Sequence, residues 1–328
     1  MFPICSILGK KGYRVAVASL FSSPKGKIFW RGLTEKPWLN TFVLIFWVIF
    51  RKVKIIEYQS GGKGKILFCI SPLQFLRARV GIVFHGLIDS TRAEKYIRQM
   101  DYACCVSPYQ KERFPVLKGT VCCPNALEKI QFSWQFSFQR KALLVSRLDR
   151  DKLPSIRAFV KFCVKNKIPF EVAGEGSRKK FLKKYCSKVC ERKNISIPIF
   201  LGSIKTESFL ENNGKKYLFL GGLGQVALEG LGKGYPVLIP SMAGICFFIN
   251  QKNIDSAWKC NFSPHQKTKC AELCKEVDSA NEDYKKILKG DVSFLPKQLS
   301  SYFLFSFVFE KYRHAVLGYK EEKLHSQT

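Results

Sequence analysis

Short apolar runs closed by turn residues recur along the chain, with segments of helical period between them. In the first half "YRVAVAS", "VKIIEYQ", "KILFCI", "VGIVFHG", "YACCVSP" and "GTVCCP" read as strands. After "PNALEKIQFSWQFSFQR" the pattern starts afresh with "KALLVSR", "FEVAGEG", "IPIFLGS", "KYLFLGG" and "YPVLIPS". Nearly continuous apolar strands that alternate with helices predict an α/β protein whose parallel sheets are covered on both faces. The restart predicts two doubly wound units joined near residue 135, one over 1–135 and one over 136–300. A closing helix over 301–320, "FLFSFVFEKYRHAVLGY", is expected to return to the first unit, and 321–328 form a tail. No short repeat, low-complexity tract or heptad pattern competes with this organisation.

In sheets of this kind ligands bind beyond the carboxyl ends of the strands, and with two units the cleft between them is the expected site. The strand ends carry polar and glycine residues: His85 and Gly86 after "GIVF", Ser107 after "CCV", Arg147 after "LLVS", and Gly174-Glu175-Gly176 after "EVA". One irregularity stands at the amino terminus. A doubly wound domain opens with a strand and a glycine loop, whereas "FPICSILGKKGYRVAV" reads as the first helix and the second strand. The first strand is therefore expected to be missing.

Charge narrows the list of partners. The 55 Lys and Arg against 25 Asp and Glu leave a formal +30, which draws a surface towards nucleic acid, anionic membrane or phosphorylated substrates. The cations come in short scattered clusters such as "SRKKFLKKYCSK", so any one cluster reads first as a solvated face. The 13 cysteines, several inside apolar runs, suit buried reduced thiols in a reducing compartment better than a secreted disulfide framework. Cys260, His265, Cys270 and Cys274 have the side chains of a zinc site without a CxxC knuckle, so no metal is expected. No secretory signal opens the chain. The apolar decapeptide "TFVLIFWVIF", residues 41–50, would cover about 15 Å as a helix, roughly half a bilayer core, which argues against a span. It reads equally as a buried core helix or as one lying in the interface, with "RKVK" meeting lipid phosphates. The expected location is cytoplasmic, peripheral to the inner face of the cytoplasmic membrane.

Two stretches carry candidate chemistry. In "ALLVSRLDRDKLPSIRAFVKF" Arg147 stands at a strand end and Lys152 at the entrance of the next helix, two fixed cations of the kind that neutralise a diphosphate. In "KYLFLGGLGQVALEGLGKGYPVLIPS" the spacing Gly222-x-Gly224-x-x-Ala227 fits a dinucleotide turn. That fingerprint needs an acid roughly 20 residues on to hold a ribose. None occurs from Gly230 to Gln251, so an NAD-type oxidoreductase stays a minor alternative.

Taken in order, these segments resemble glycosyltransferase family 4, retaining enzymes of GT-B architecture with two facing Rossmann-like domains and a central cleft. The resemblance runs through "GIVFHG", "CCVSPYQKERF", "VCCPNALEKIQFS", "LLVSRLDRDK", "FEVAGEGSRKKFLKKYC", "IPIFLGSIKTE" and "GGLGQVALEGLGKGYPVLIPS", and covers most of residues 8–318. It implies that Arg147 and Lys152 clamp the donor diphosphate, with Gly174, Gly224 and Gln225 lining the donor. Glu229 would match the second glutamate of a pair and hold the ribose hydroxyls, and His85 would lie beside the reacting sugar. In place of the first glutamate stands Gly221, which leaves the contact to the donor sugar open.

The first function reading is transfer of a sugar, with retention, from a nucleotide-activated donor to a glycan or lipid-linked acceptor in bacterial lipopolysaccharide or capsule synthesis. It calls for no cofactor and no metal. The second reading is a non-catalytic GT-B relative that binds a glycan or a partner protein. Nucleic-acid binding comes last, because no recognition motif accompanies the charge.

Overall fold

In the computed structural model the described residues run almost without a break over 139–213, 216–264 and 279–296. Before these they comprise the strands listed below with their flanking turns, residues 120–127 and scattered helical positions. The chain divides into two compact units, Met1–Pro124 with Ser306–Thr328, and Asn125–Phe305.

The first unit contains β1 (Ala16–Ser19), β2 (Phe29–Gly32), β3 (Ile55–Ser60), β4 (Arg79–Phe84), β5 (Tyr102–Cys105), α1 (Pro108–Arg113) and β6 (Val121–Cys122). Strands β3 to β6 form a parallel sheet in sequence order, and β1 pairs in parallel with β2. Val80, Ile82, Val83, Phe84, Cys104 and Cys105 are buried, as an apolar run covered on both faces requires. Strand β2, in "FWRG", was not predicted, because its apolar run, Ile28 to Trp30, is only three residues long and lies between cations. The expected strand "KILFCI", the amino-terminal segment 1–15 and His85 lie outside the described residues. Within 41–50, Ile45, Phe46 and Ile49 are helical, and Phe46 and Ile49 are about half exposed. No helix among the described residues is long and apolar enough to cross a membrane. Of the expected closing helix only Val308, helical and buried, is described.

The second unit runs β7 (Ala142–Val145), a 3₁₀ turn (Arg150–Lys152), α2 (Leu153–Lys165), β8 (Phe170–Ala173), α3 (Lys179–Glu191), β9 (Ile199–Gly202) and α4 (Thr206–Asn213). It continues through β10 (Phe219–Gly221), α5 (Gln225–Gly232), β11 (Val237–Pro240), β12 (Cys246–Phe248), α6 (Ile254–Lys259) and α7 (Ser279–Leu288). The sheet order is β12-β11-β10-β7-β8-β9. All neighbours are parallel except the edge strand β12, which the sequence did not predict and which returns antiparallel along β11.

The pleat divides the core. Ala142 and Leu144 of β7 face one layer with α2, α3 and α7, while Leu143 and Val145 face the other with α4 and α5. The first layer is aromatic: Phe219 meets Phe248 edge to face at 5.3 Å, and Phe159 packs on Phe170 and Phe219. Helix α2 takes Pro154 in its first turn, where no amide partner is lost. It buries Ile156, Phe159, Val160 and Cys163 while Arg157, Lys161 and Lys165 stay outside. These layers fix the carboxyl edge of the sheet, where the candidate residues stand.

Candidate functional site

The two strands that deliver the main candidates are neighbours at the centre of the sheet. Gly221 at the end of β10 pairs with Leu144 of β7, and a β-carbon on Gly222 would stand 3.6 Å from the Val145 carbonyl oxygen. The glycine corner and the turn bearing Arg147 therefore leave the sheet side by side.

The Arg147 turn is zipped to the loop after β8. Ser146 donates its amide to Ala173 O (3.0 Å), Leu148 to Glu175 O (2.9 Å), and Arg178 donates to Leu148 O (2.8 Å). Gly174 and Gly176 permit this closeness: at φ +139° and +158°, a β-carbon on either would overlap the backbone of Ser146 or Leu148. Asp149 closes the zip, because its Oδ1 accepts from the Ser177 amide (2.9 Å) and the Ser177 hydroxyl (3.1 Å). These bonds, with the Arg147 charge beside them, hold the Asp149 carboxyl below the usual range despite the opposing effect of burial.

Arg147 and Lys152 share a partner. Arg147 Nη2 lies 3.1 Å from Asp151 Oδ2, Lys152 Nζ lies 3.8 Å from the same oxygen, and Arg147 Nη1 is 3.5 Å from Asp149 Oδ2. The Arg147 side chain is 66% exposed and that of Lys152 22%, so the first can swing and the second is seated. Burial pushes the Lys152 ammonium down and Arg147 adds to this, while Asp151 opposes both. A polyanion arriving here relieves two like charges held close together, which two isolated surface cations would not offer.

On the neighbouring corner Gly224 stands at the amino end of α5 with φ +58°, and its amide donates to Phe262 O (3.1 Å). No side chain caps the helix, which leaves the first-turn amides of α5 available to an acceptor. Gln225 Nε2 donates to Glu229 Oε1 (3.1 Å) and to the Ala126 carbonyl oxygen (3.4 Å). Burial pushes the Glu229 carboxyl up, and Gln225 together with the Thr206 hydroxyl pulls against it. Glu229 is thus a partly buried acceptor aimed by two donors.

Of the predicted residues, the structure brings together Gln225 with Glu229, Arg147 with Lys152, and Gly174 with the Arg147 turn; His85 is outside the described residues. Four contributors escaped the sequence reading: Asp149, Ser177, Thr206, and Asn261, whose Oδ1 accepts from Asn125 Nδ2 at 3.0 Å. Asn261 and Phe262 both have positive φ, 52° and 50°, a strained pair that presents the Phe262 carbonyl to Gly224. The only advance signal was "TES" opening a helix at Thr206. Of the zinc-type set only Cys260 is described, and it is disulfide-bonded, so its sulfur is not a free ligand. Among the described cysteines Cys104, Cys105, Cys122, Cys123, Cys163, Cys186, Cys190 and Cys246 carry free thiols, whereas the disulfide at Cys260 departs from the expectation of reduced thiols.

No protein family and no curated protein matches the chain by sequence. Solved structures do match. A glycosyltransferase from Rickettsia africae superposes with a TM-score of 0.60 at 13% identity, over 97% of this chain and 94% of that one. HepE of Anabaena, in complex with UDP and glucose, gives 0.53 at 14% identity over 90% and 92%. The lipopolysaccharide outer core galactosyltransferase WaaB in its apo form gives 0.52 at 12% identity over 89% and 85%. The fold is GT-B. Within it, the doubly wound second unit presents Arg147, Lys152 and Glu229 along one sheet edge.

Proposed function

We propose that the protein is a glycosyltransferase that takes a sugar from a nucleoside-diphosphate donor and passes it, with retention, to a glycan or lipid-linked acceptor. The observation that carries the reading is the pairing on neighbouring strands of two cations that share a single carboxylate with a carboxylate that is held by two donors in the second turn of an uncapped helix. The three groups match the parts of a nucleotide sugar. Arg147 and Lys152 exchange Asp151 for the diphosphate and stabilise the charge that grows on it as the glycosidic bond breaks. The two carboxyl oxygens of Glu229 accept from the ribose hydroxyls, with Gln225 and Thr206 fixing its rotamer. The first-turn amides of α5 add dipolar stabilisation to bound negative charge. No step calls for an enzymic nucleophile: the acceptor attacks on the face that the diphosphate leaves, and the protein supplies position and charge.

The likeness to HepE with UDP and glucose and to the lipopolysaccharide galactosyltransferase WaaB supports a nucleotide-sugar donor and a role in bacterial surface glycans. A cytoplasmic setting accompanies such a donor. The reading calls for no metal, because Arg147 and Lys152 would supply the positive charge at the diphosphate.

A second reading, a GT-B protein that binds without turnover, is favoured by Gly221, which stands where the resemblance implies a glutamate. Release of nucleoside diphosphate across UDP-, GDP-, ADP- and CDP-sugars, with the anomeric configuration of product followed by NMR, decides between them. Turnover with a retained α configuration supports the enzyme. Donor binding without release supports the second reading, and an inverted product removes the retaining mechanism.

A further inference from the structure

The sugar-nucleotide reading leaves unused a strongly basic face on the same unit. Between Gly176 and Pro198 eight residues are Lys or Arg, and Glu191 is the single acid. Helix α3 sorts them. Leu182, Cys186 and Cys190 are buried against the sheet, while Lys180, Lys184 and Lys188, spaced by four, form an exposed row along the opposite side. None of these three lysines has an ion-pair partner among the described residues, unlike Lys179, which pairs with Glu175. Beside the row Phe181 is 42% exposed, an uncommon place for a phenylalanine. Arg157 of α2 lies 5.3 Å from the ring centroids of both Phe181 and Tyr185, which extends the positive face from α3 onto α2.

We propose that this face of α3, with Arg157 of α2, docks on an anionic lipid bilayer. A straight row of lysines sets its charges at one depth, which suits a plane of phosphates, and long stems let each ammonium reach a headgroup while Phe181 enters the interface. Nucleic acid fits less well. The Tyr185 ring is only partly exposed and has Arg157 over it, and the row carries no amide or carboxylate to read a base edge. The proposal stands independently of the donor site, because none of these side chains belongs to it.

The test uses the full chain and sedimentation with vesicles of phosphatidylcholine alone or doped with phosphatidylglycerol, at low and high salt. Wild type is expected on the doped vesicles only, and less so as salt rises. The triple variant Lys180→Gln/Lys184→Gln/Lys188→Gln is expected to lose affinity by about 100-fold, at roughly 1 kcal/mol per cation near the surface. Circular dichroism checks its fold. Phe181→Trp gives an independent readout: its fluorescence, after subtraction of wild type, shifts to the blue on doped vesicles. The proposal is overturned if wild type ignores the doped vesicles, if the triple variant binds as well, if the tryptophan stays in water, or if duplex DNA holds the chain in preference to the vesicles.

Discussion

Gly221 abuts the ring of Phe159: a β-carbon at 221 would overlap Phe159 Cε2, part of a side chain that is itself fully buried. The end of β10 therefore turns its missing side chain into the aromatic layer, not towards the sheet edge. Gly221→Ala is expected to cost about 1–3 kcal/mol in urea unfolding by overpacking. In a Phe159→Ala background, itself about 3–5 kcal/mol less stable, the same change should cost much less. Additive effects in that cycle would show that the ring does not dictate the glycine.

Arg147→Ala and Lys152→Ala should each lower kcat/KM for the donor by about 10²-fold or more, as expected when charge on a leaving group loses its partner. Arg147→Lys is expected to recover little, since an ammonium cannot replace the fork that now spans Asp149 and Asp151. Steady-state kinetics check both, with thermal melts to show that the fold is intact.

Asp149 is expected to act through Arg147 by holding the turn that carries it. Asp149→Ala removes two acceptor bonds to Ser177 and should cost about 1 kcal/mol of stability while raising the donor KM more than it lowers kcat. The Asp149 carboxyl is depressed, so its stabilisation is present above the unfolded value near 3.9 and is lost as pH falls below it. Urea unfolding of the variant should show a flatter acid limb than wild type. An equally steep limb would assign the acid sensitivity elsewhere.

Glu229 has the opposite sign. Its carboxyl is raised by burial, so folding is favoured when it is protonated, and that advantage disappears as pH rises through its folded value. Ionisation of this side chain therefore costs stability and serves binding. Glu229→Gln is expected to raise Tm slightly at pH 7 while weakening donor affinity at least about tenfold, through loss of one charged acceptor. In wild type, donor affinity should begin to fall at a higher pH than an ordinary carboxylate would dictate. A variant that binds donor normally would remove Glu229 from the site.

Much of the second unit was legible because its strands are continuous apolar runs that end on Arg147, Gly174 or the 221–224 corner. Strand β12 was not, because "CFF" follows β11 after a short hairpin and blends into its apolar pattern. The closeness of Arg147 and Lys152 could be read, since an arginine closing a buried strand stands out against its neighbours and Lys152 follows at the next helix entrance. Asp149 and Asn261 could not, because their meaning comes from partners far along the chain: Ser177 is 28 residues from Asp149, and Asn125 is 136 from Asn261. In a protein of +30 no local pattern separates an aspartate that braces a loop from one that merely lowers the charge.

The most direct measurement is calorimetric titration of the full chain with UDP, GDP, ADP and CDP and with their sugar conjugates, in parallel on wild type, Arg147→Ala and Glu229→Ala. The account predicts that at least one nucleotide binds wild type, that both variants weaken it at least about tenfold, and that the matching nucleoside monophosphate responds to Glu229→Ala but far less to Arg147→Ala. Failure of every nucleotide to bind, or binding that both variants leave unchanged, would contradict it.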